Sequence, residues 1–307
     1  MTGAPAQAAT LRLGTRGSAL ARRQADIVAS AIRAVHPHVI CEVLAIRTHG
    51  DLMPAQPLAE FEDQGAFVRQ IESALLEERI DLAVHSFKDM PSTSTAGLHV
   101  GAFLPRADPS DVLVSGSHRR LSELRAGPTI GTGSPRRAAL LRTMRPDAEI
   151  VALRGNVDTR LRRVANGEVD AVVLAMAGLQ RLRREGEVSE ILDPMDFTPA
   201  VGQGILAVQI RSEDRRLADL LAPLDDAATR VCASAERAVA LTIRASCHTP
   251  LGAYARLLNG KMELAAVLAP GDSATLLRAC DRGDPADATA IGERTGLALL
   301  VALGAAN

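Results

Sequence analysis

The chain of 307 residues carries 35 basic and 36 acidic groups for a net charge of −1, with 47% apolar and 23% charged residues. That balance suits a globular protein with a sizeable core and about two domains, three being possible. It excludes the broad basic field of a non-specific nucleic-acid binder, and six aromatic residues in all leave too few platforms for stacking bases.

The first residues, Met1-Thr2-Gly3-Ala4-Pro5, lack the basic and apolar stretches of a secretory leader. The longest uninterrupted apolar run, Gly296 to Ala306, falls short of the ~20 residues that span a bilayer. Cys41, Cys232, Cys247 and Cys280 show neither Cys-x-x-Cys pairing nor zinc-ligand spacing with histidine. A cytoplasmic protein with reduced thiols and no metal or membrane partner is expected. Lys88 and Lys261 are the only lysines, so 33 of the 35 basic residues are arginine. A compositional bias towards Ala and Arg explains this most simply, and it makes a lysine worth inspecting.

In chain order, Leu11 to Thr15 reads as a strand leading to a helix from near Ser18, and Val39 to Arg47 as the next strand. Gln64 to Glu78 has helical spacing, with Phe67, Ile71, Leu75 and Leu76 as its apolar stripe. Asp81 to His85 is a short strand. The grammar then repeats: Thr129 to Thr132 leads to a helix from Ser134, Ile150 to Leu153 to one from Asn156, and Asp170 to Leu174 to another. This alternation predicts an α/β fold with mostly parallel sheets.

Leu13-Gly14-Thr15-Arg16-Gly17-Ser18 resembles Ile130-Gly131-Thr132-Gly133-Ser134, and residues 78–84 resemble 167–173. Both pairs run in the same order, which predicts two related lobes; chance similarity in an Ala- and Arg-rich chain is the plainer alternative. The last third differs. A helix from about Asp226 to Thr242 precedes three strand-like runs, Leu251 to Leu258, Lys261 to Leu268 and Ala274 to Cys280, then a helix from about Pro285. Asn259-Gly260 is a hairpin signal. A small α+β domain with a three-stranded antiparallel sheet is expected.

Ligands of open α/β sheets bind at the carboxyl ends of strands and on helix amino-termini. Those turns carry Arg16 and Ser18; Lys88 and Asp89; Ser134, Arg136 and Arg137; Arg154, Asn156 and Arg160; and Gln180 with Arg181. Arg136 and Arg137 sit in the first turn of a helix, where the dipole disfavours cations by about 0.3–1 kcal/mol each. Either both point into solvent, or a polyanion binds between them. Separate arginines suit several carboxylates along one ligand, and no phosphate loop or dinucleotide turn is present. Asp89 is the best acid/base or cation-stabilising candidate, although Lys88-Asp89 also reads as a surface ion pair. Cys247, in a polar loop between Arg244 and His248, is either an activated thiol or an incidental one. Cys41, Cys232 and Cys280 read as core fillers.

Taken together, Thr15-Arg16-Gly17-Ser18, Val84-His85-Ser86-Phe87-Lys88-Asp89-Met90-Pro91, Gly131-Thr132-Gly133-Ser134-Pro135-Arg136-Arg137, Leu153-Arg154-Gly155-Asn156-Val157, Pro199-Ala200-Val201-Gly202-Gln203-Gly204 and Ala235-Glu236-Arg237 resemble the porphobilinogen deaminase (hydroxymethylbilane synthase) family. The resemblance runs from about Leu11 to the last helix. It implies two periplasmic-binding-protein-like lobes around a cleft, residues 1–104 plus 203–222 and 105–202, and a C-terminal domain, 223–307. It implies a monomeric transferase that condenses four porphobilinogen molecules, with loss of ammonia, into hydroxymethylbilane for porphyrin biosynthesis. It implies a dipyrromethane cofactor in thioether linkage to Cys247. Asp89 and Lys88 would be catalytic, and Ser134, Arg136, Arg137, Arg154, Arg160, Lys88 and Asp89 would bind the cofactor. Arg16, Ser18, Arg154, Arg160 and Arg181 would bind substrate.

Some positions depart from the family pattern. Glu62-Asp63-Gln64-Gly65 stands where Gly-Gly-Lys-Gly is common, Arg69 where a second lysine is frequent, and Ala245-Ser246 where two glycines usually precede the cysteine. Two rivals stay open on the residues alone. A two-lobed anion binder without catalysis gives Cys247 and Asp89 no task, and a cysteine hydrolase using Cys247 with His85 or His248 leaves the arginines unexplained.

Overall fold

The computed structural model describes residues 10–46, 65–246, 248–270 and 275–306, with no account of the side chains of 65–67 and 306. Cys247, the 62–64 part of the departing loop and the Phe67 side chain therefore lie outside the described residues.

In chain order the elements are β1 (Thr10–Arg16), α1 (Ala19–Val35), β2 (Ile40–Ile46), α2 (Gly65–Leu76), β3 (Leu82–Ser86), β4 (Leu98–Phe103), β5 (Asp111–Ser115), β6 (Thr129–Gly131), α3 (Pro135–Met144), β7 (Glu149–Val151), α4 (Val157–Ala165), β8 (Ala171–Ala175), α5 (Met176–Leu182), β9 (Glu190–Leu192), β10 (Leu206–Arg211), α6 (Arg215–Leu221), α7 (Ala227–Ile243), β11 (Leu251–Leu258), β12 (Lys261–Leu268), β13 (Leu277–Gly283) and α8 (Ala288–Ala306). The chain forms two compact units, residues 1–105 with 206–226, and 106–205 with 227–307.

The first unit holds a five-stranded sheet ordered β2-β1-β3-β10-β4, in which β10 runs opposite to the other four. Helix α1 forms because apolar residues recur at helical spacing. Ala21, Ala25, Val28, Ala29 and Ile32 bury one face against Leu11, Leu13, Leu82 and Val84. Helix α2 covers the opposite face through Ile71, Ala74 and Leu75. Leu76, expected in that stripe, is 46% exposed, and Val68 is buried. The sequence stripe was one position too wide at the helix's last turn.

The second unit holds a sheet ordered β7-β6-β8-β5-β9, with β5 antiparallel to its neighbours. Both sheets are thus mixed, with four strands running one way and a single strand against them. The antiparallel strand of the first is supplied by chain returning after the second. A continuous apolar run, Val112-Leu113-Val114, marks β5 as buried on both faces.

Strands β11, β12 and β13 form the antiparallel sheet of the last third. Asn259 and Gly260 both take positive φ, 51° and 73°, as a two-residue hairpin of the primed type requires. The third strand runs Leu277–Gly283, and Ala274, where the sequence reading starts it, lies outside the described residues. Cys280 on this strand is exposed and Cys41 partly so, and Cys232 alone of the three is buried. Helix α8 lays Ile291, Thr295 and Leu299 into the core beside α7 and this sheet, and leaves Leu297 and Val301 exposed. With its preceding turn, Pro285–Ala305, this helix is long and apolar enough to cross a membrane by length and composition. Counting only the uninterrupted run from Gly296 missed that.

Candidate functional site

In the first unit the expected residues gather at the carboxyl ends of two adjacent strands. Arg16 ends β1, and Ser18 caps α1, its Oγ accepting from Ala21 N at 3.3 Å. The cap leaves the Ser18 O–H as a donor. Strand β3 runs into a single tight turn, Phe87–Asp89, which Met90-Pro91 ends. Phe87 is buried edge-on against Phe103 at 4.9 Å, and this anchor leaves Lys88 and Asp89 exposed. The turn therefore offers a cation and a carboxylate on a fixed apolar pivot.

In the second unit the expected cations lie at the ends of β6, β7 and β8. Ser134 caps α3, with Oγ accepting from Arg137 N at 3.4 Å, and Pro135 takes the first helical position. Arg136 and Arg137 do not point into solvent. They are 4% and 6% exposed and share Asp111, the first residue of β5. Arg136 Nη1 lies 2.8 Å from one carboxylate oxygen, and Arg137 Nη2 donates to the other at 2.6 Å. Gln203 Nε2 donates to the same carboxylate at 2.9 Å. Burial would raise the Asp111 carboxyl, but the two guanidiniums outweigh it and hold it well below the usual carboxylate range.

One carboxylate between two guanidiniums leaves a surplus positive charge. Arg136 also donates to Thr198 O at 2.7 Å, while its Nε and Thr198 Oγ1 are buried with no hydrogen-bond partner among the described residues. Arg160 on α4 has a buried, unpartnered Nε, and its guanidinium is pushed down to about 10, first by burial and then by Arg137. Arg181 on α5 donates to Gly204 O at 2.7 Å and is likewise pushed down to about 10 by burial. Arg154, after β7, is exposed. A buried cation lacking a carboxylate is costly, so this surplus is chemically suited to a ligand bearing several carboxylates.

In the sequence, Asp111 and Arg106 are not singled out, and Gln203 and Glu236 stand only within family segments, without the buried ion pairs they serve. Arg106 Nη1 donates to Glu236 Oε1 at 2.5 Å, and the Glu236 carboxylate also accepts from Gly202 N and Ala255 N. The signal was a carboxylate at the head of an apolar strand and another on the buried stripe of α7, between Cys232 and Val239. Gly204 belongs to the same junction. Its φ is 90°, and a Cβ there would fall 2.5 Å from Ala107 O, so only glycine fits.

Residues 11–219 match the family model described as "Porphobilinogen deaminase, dipyromethane cofactor binding domain", and 230–301 match "Porphobilinogen deaminase, C-terminal domain". The porphobilinogen deaminase of Syntrophobacter fumaroxidans is 43% identical over 290 residues, 94% of each chain. That of Acidothermus cellulolyticus is 44% identical over 294 residues, 94% of this chain and 88% of its own. Among solved structures, the aliphatic sulphonate binding protein of Escherichia coli aligns with a TM-score of 0.40 and 18% identity, over 76% of this chain and 70% of its own. An arginine-specific periplasmic binding protein of Salmonella typhimurium aligns at 0.39 and 15%, over 73% and 94%.

Proposed function

The chain belongs to the porphobilinogen deaminase family, and from that premise we propose how its own residues carry the reaction. It is a transferase that condenses four porphobilinogen molecules, releasing ammonia, into the linear tetrapyrrole hydroxymethylbilane of porphyrin biosynthesis. The cofactor of this family is dipyrromethane. When bound, it supplies the tethered pyrrole to which substrate units are added.

The observation that carries the reading is the surplus of positive charge in the second unit, the buried Arg136 and Arg137 and the half-buried Arg160 and Arg181 against Asp111. Each pyrrole unit brings an acetate and a propionate, so a growing chain is a polycarboxylate. Arg160 and Arg136, with unpartnered Nε groups, Arg137, and the exposed Arg154 would hold cofactor carboxylates. The Ser134 O–H would add a neutral donor. Cys247 would form the thioether. Arg16, Ser18, Arg181 and again Arg154 and Arg160 would bind the incoming substrate, and Lys88 would pair with one of its carboxylates.

Asp89 is the reactive carboxylate. Exposed on its turn, it can accept hydrogen bonds from pyrrole N–H groups and stabilise the cationic pyrrole left when ammonia departs. It can also take up the proton released when the new carbon–carbon bond forms. The segments 1–104 plus 203–222, 105–202 and 223–307 would be the functional division. A cytoplasmic monomer acting on a free small molecule, without nucleic acid or membrane, completes the proposal.

The test is Asp89→Ala, followed by porphobilinogen consumption and ammonia release. Turnover should fall by about 10²–10⁴ with the fold and the bound cofactor retained. Near-normal ammonia release would remove Asp89 from the reaction.

A further inference from the structure

The carboxyl end of β3 is pinned from both faces by side-chain amides, and one of them rests on a histidine that the reaction above does not use. On one face the buried Gln24 of α1 donates from Nε2 to Ser86 Oγ at 2.7 Å. On the other, Glu72 of α2, also buried, accepts from Thr95 Oγ1 and from Gln209 Nε2, each at 2.8 Å. A carboxylate only accepts, so the Gln209 amide nitrogen must face Glu72 and its Oε1 must face His85 Nε2, 3.1 Å away. His85 Nε2 therefore carries a proton. The ring is 6% exposed, and burial pushes it below the ordinary imidazole range against the opposing pull of Glu72, Gln209 and Asp89. Those groups face it from α2, from β10 and from the turn that β3 leads into.

We propose that His85 is a positioning residue for Asp89: the Glu72–Gln209 chain holds its Nε2–H as a donor and its buried site keeps the ring uncharged, which fixes the strand end that launches the Phe87–Asp89 turn and keeps an extra cation away from the Asp89 carboxylate. The inference rests on Asp89 being the reactive carboxylate. A carboxylate that stabilises developing positive charge is weakened by an imidazolium that interacts with it, and His85 and Asp89 interact electrostatically, so a charged ring should slow such a step by roughly tenfold.

Carbon- and nitrogen-resolved NMR of the imidazoles in the cofactor-bearing full chain tests this, with His85 assigned by its absence in His85→Gln. The ring should remain the neutral Nε2–H tautomer from about pH 6 to about pH 8.5. An imidazolium signature within that range overturns the proposal. Gln209→Glu sets a carboxylate against Nε2 and should charge the ring, lowering kcat roughly tenfold with KM within about twofold. A charged ring with unchanged kcat also overturns it.

Rescue gives an arm that does not depend on charging the ring. His85→Gln, which keeps a neutral donor towards Gln209, should recover about tenfold over His85→Leu, and equal loss in two folded variants contradicts positioning. Asp89→Asn separates the two readings. If turnover survives it, the assignment of Asp89 fails whatever His85 does. If turnover is lost while a charged His85 leaves Gln209→Glu at full rate, only the positioning role fails.

Discussion

The two five-stranded sheets pair Leu13 with Leu82 and Ile130 with Ala171, and set Ser86 against Leu206 where the second sheet sets Ala175 against Asp111. Ser18 and Ser134 cap the following helices in the same way, so Leu20 and Ala21 correspond to Arg136 and Arg137. Asp81 accepts from Arg12 N at 2.8 Å just as Asp170 accepts from Thr129 N at 2.7 Å. The backbone plan is shared, and the chemistry is placed at different corners of it. The second unit buries two arginines and the aspartate that holds them, where the first has Leu20, Ala21 and Leu206. After the next strand the first unit exposes Lys88 and Asp89 where the second has Ala177 and Gly178. On the proposed reading, one unit holds anions and the other presents the reactive carboxylate.

If the aspartate of the second unit is there to make its arginines tolerable, removing it should have the largest effect on stability. Asp111→Asn leaves two buried guanidiniums sharing no carboxylate and should cost about 3–5 kcal/mol, read by denaturant unfolding; a loss below about 1 kcal/mol would break the comparison with Leu206. Arg160→Leu should do the reverse. It removes a half-buried cation with no described carboxylate partner, so the thermal midpoint should hold or rise, while KM for porphobilinogen rises roughly tenfold. A destabilised Arg160→Leu with normal KM would make Arg160 structural.

The pH dependence sharpens the same point. Because Asp111 is depressed in the folded state, its contribution is complete above the unfolded carboxylate value of about 3.9 and disappears as pH falls through the lower folded value. The stability gap between the wild type and Asp111→Asn should therefore be flat near neutrality and narrow only below about pH 4; a gap closing between pH ~5 and ~7 would contradict it. The smallest effect is the cap shared by both units. Ser18→Ala and Ser134→Ala should each lower stability by about 1 kcal/mol, measured by thermal unfolding, with Ser134→Ala alone also weakening cofactor retention.

Much of this plan was legible in the sequence because its signals are local. The serine caps, the Asn259-Gly260 turn and the apolar spacing of α1 are each contained within a few residues. The similarities of 13–18 to 130–134 and of 78–84 to 167–173 fall on β1 with β6 and on β3 with β8, in equivalent register. What was not legible depends on contacts distant along the chain. Asp111 lies 26 residues before Arg137, and Gln209 lies 124 after His85. Strand β10 enters the first sheet only after the second is complete. The family resemblance places 203–222 with the first lobe, but nothing near Leu206 announces that this strand runs antiparallel to its neighbours. Arg136 and Arg137 were read as facing solvent or a ligand because an internal partner on another strand leaves no local trace.

The measurement that tests the central claim most directly is the intact mass of the purified protein, with peptide mapping across Cys247. A dipyrromethane adduct on that residue is the predicted result, and it would make the surplus arginine charge of the second unit the holder of a tethered polycarboxylate. An unmodified Cys247, even after incubation with porphobilinogen, would contradict the account and leave a two-lobed anion binder in its place.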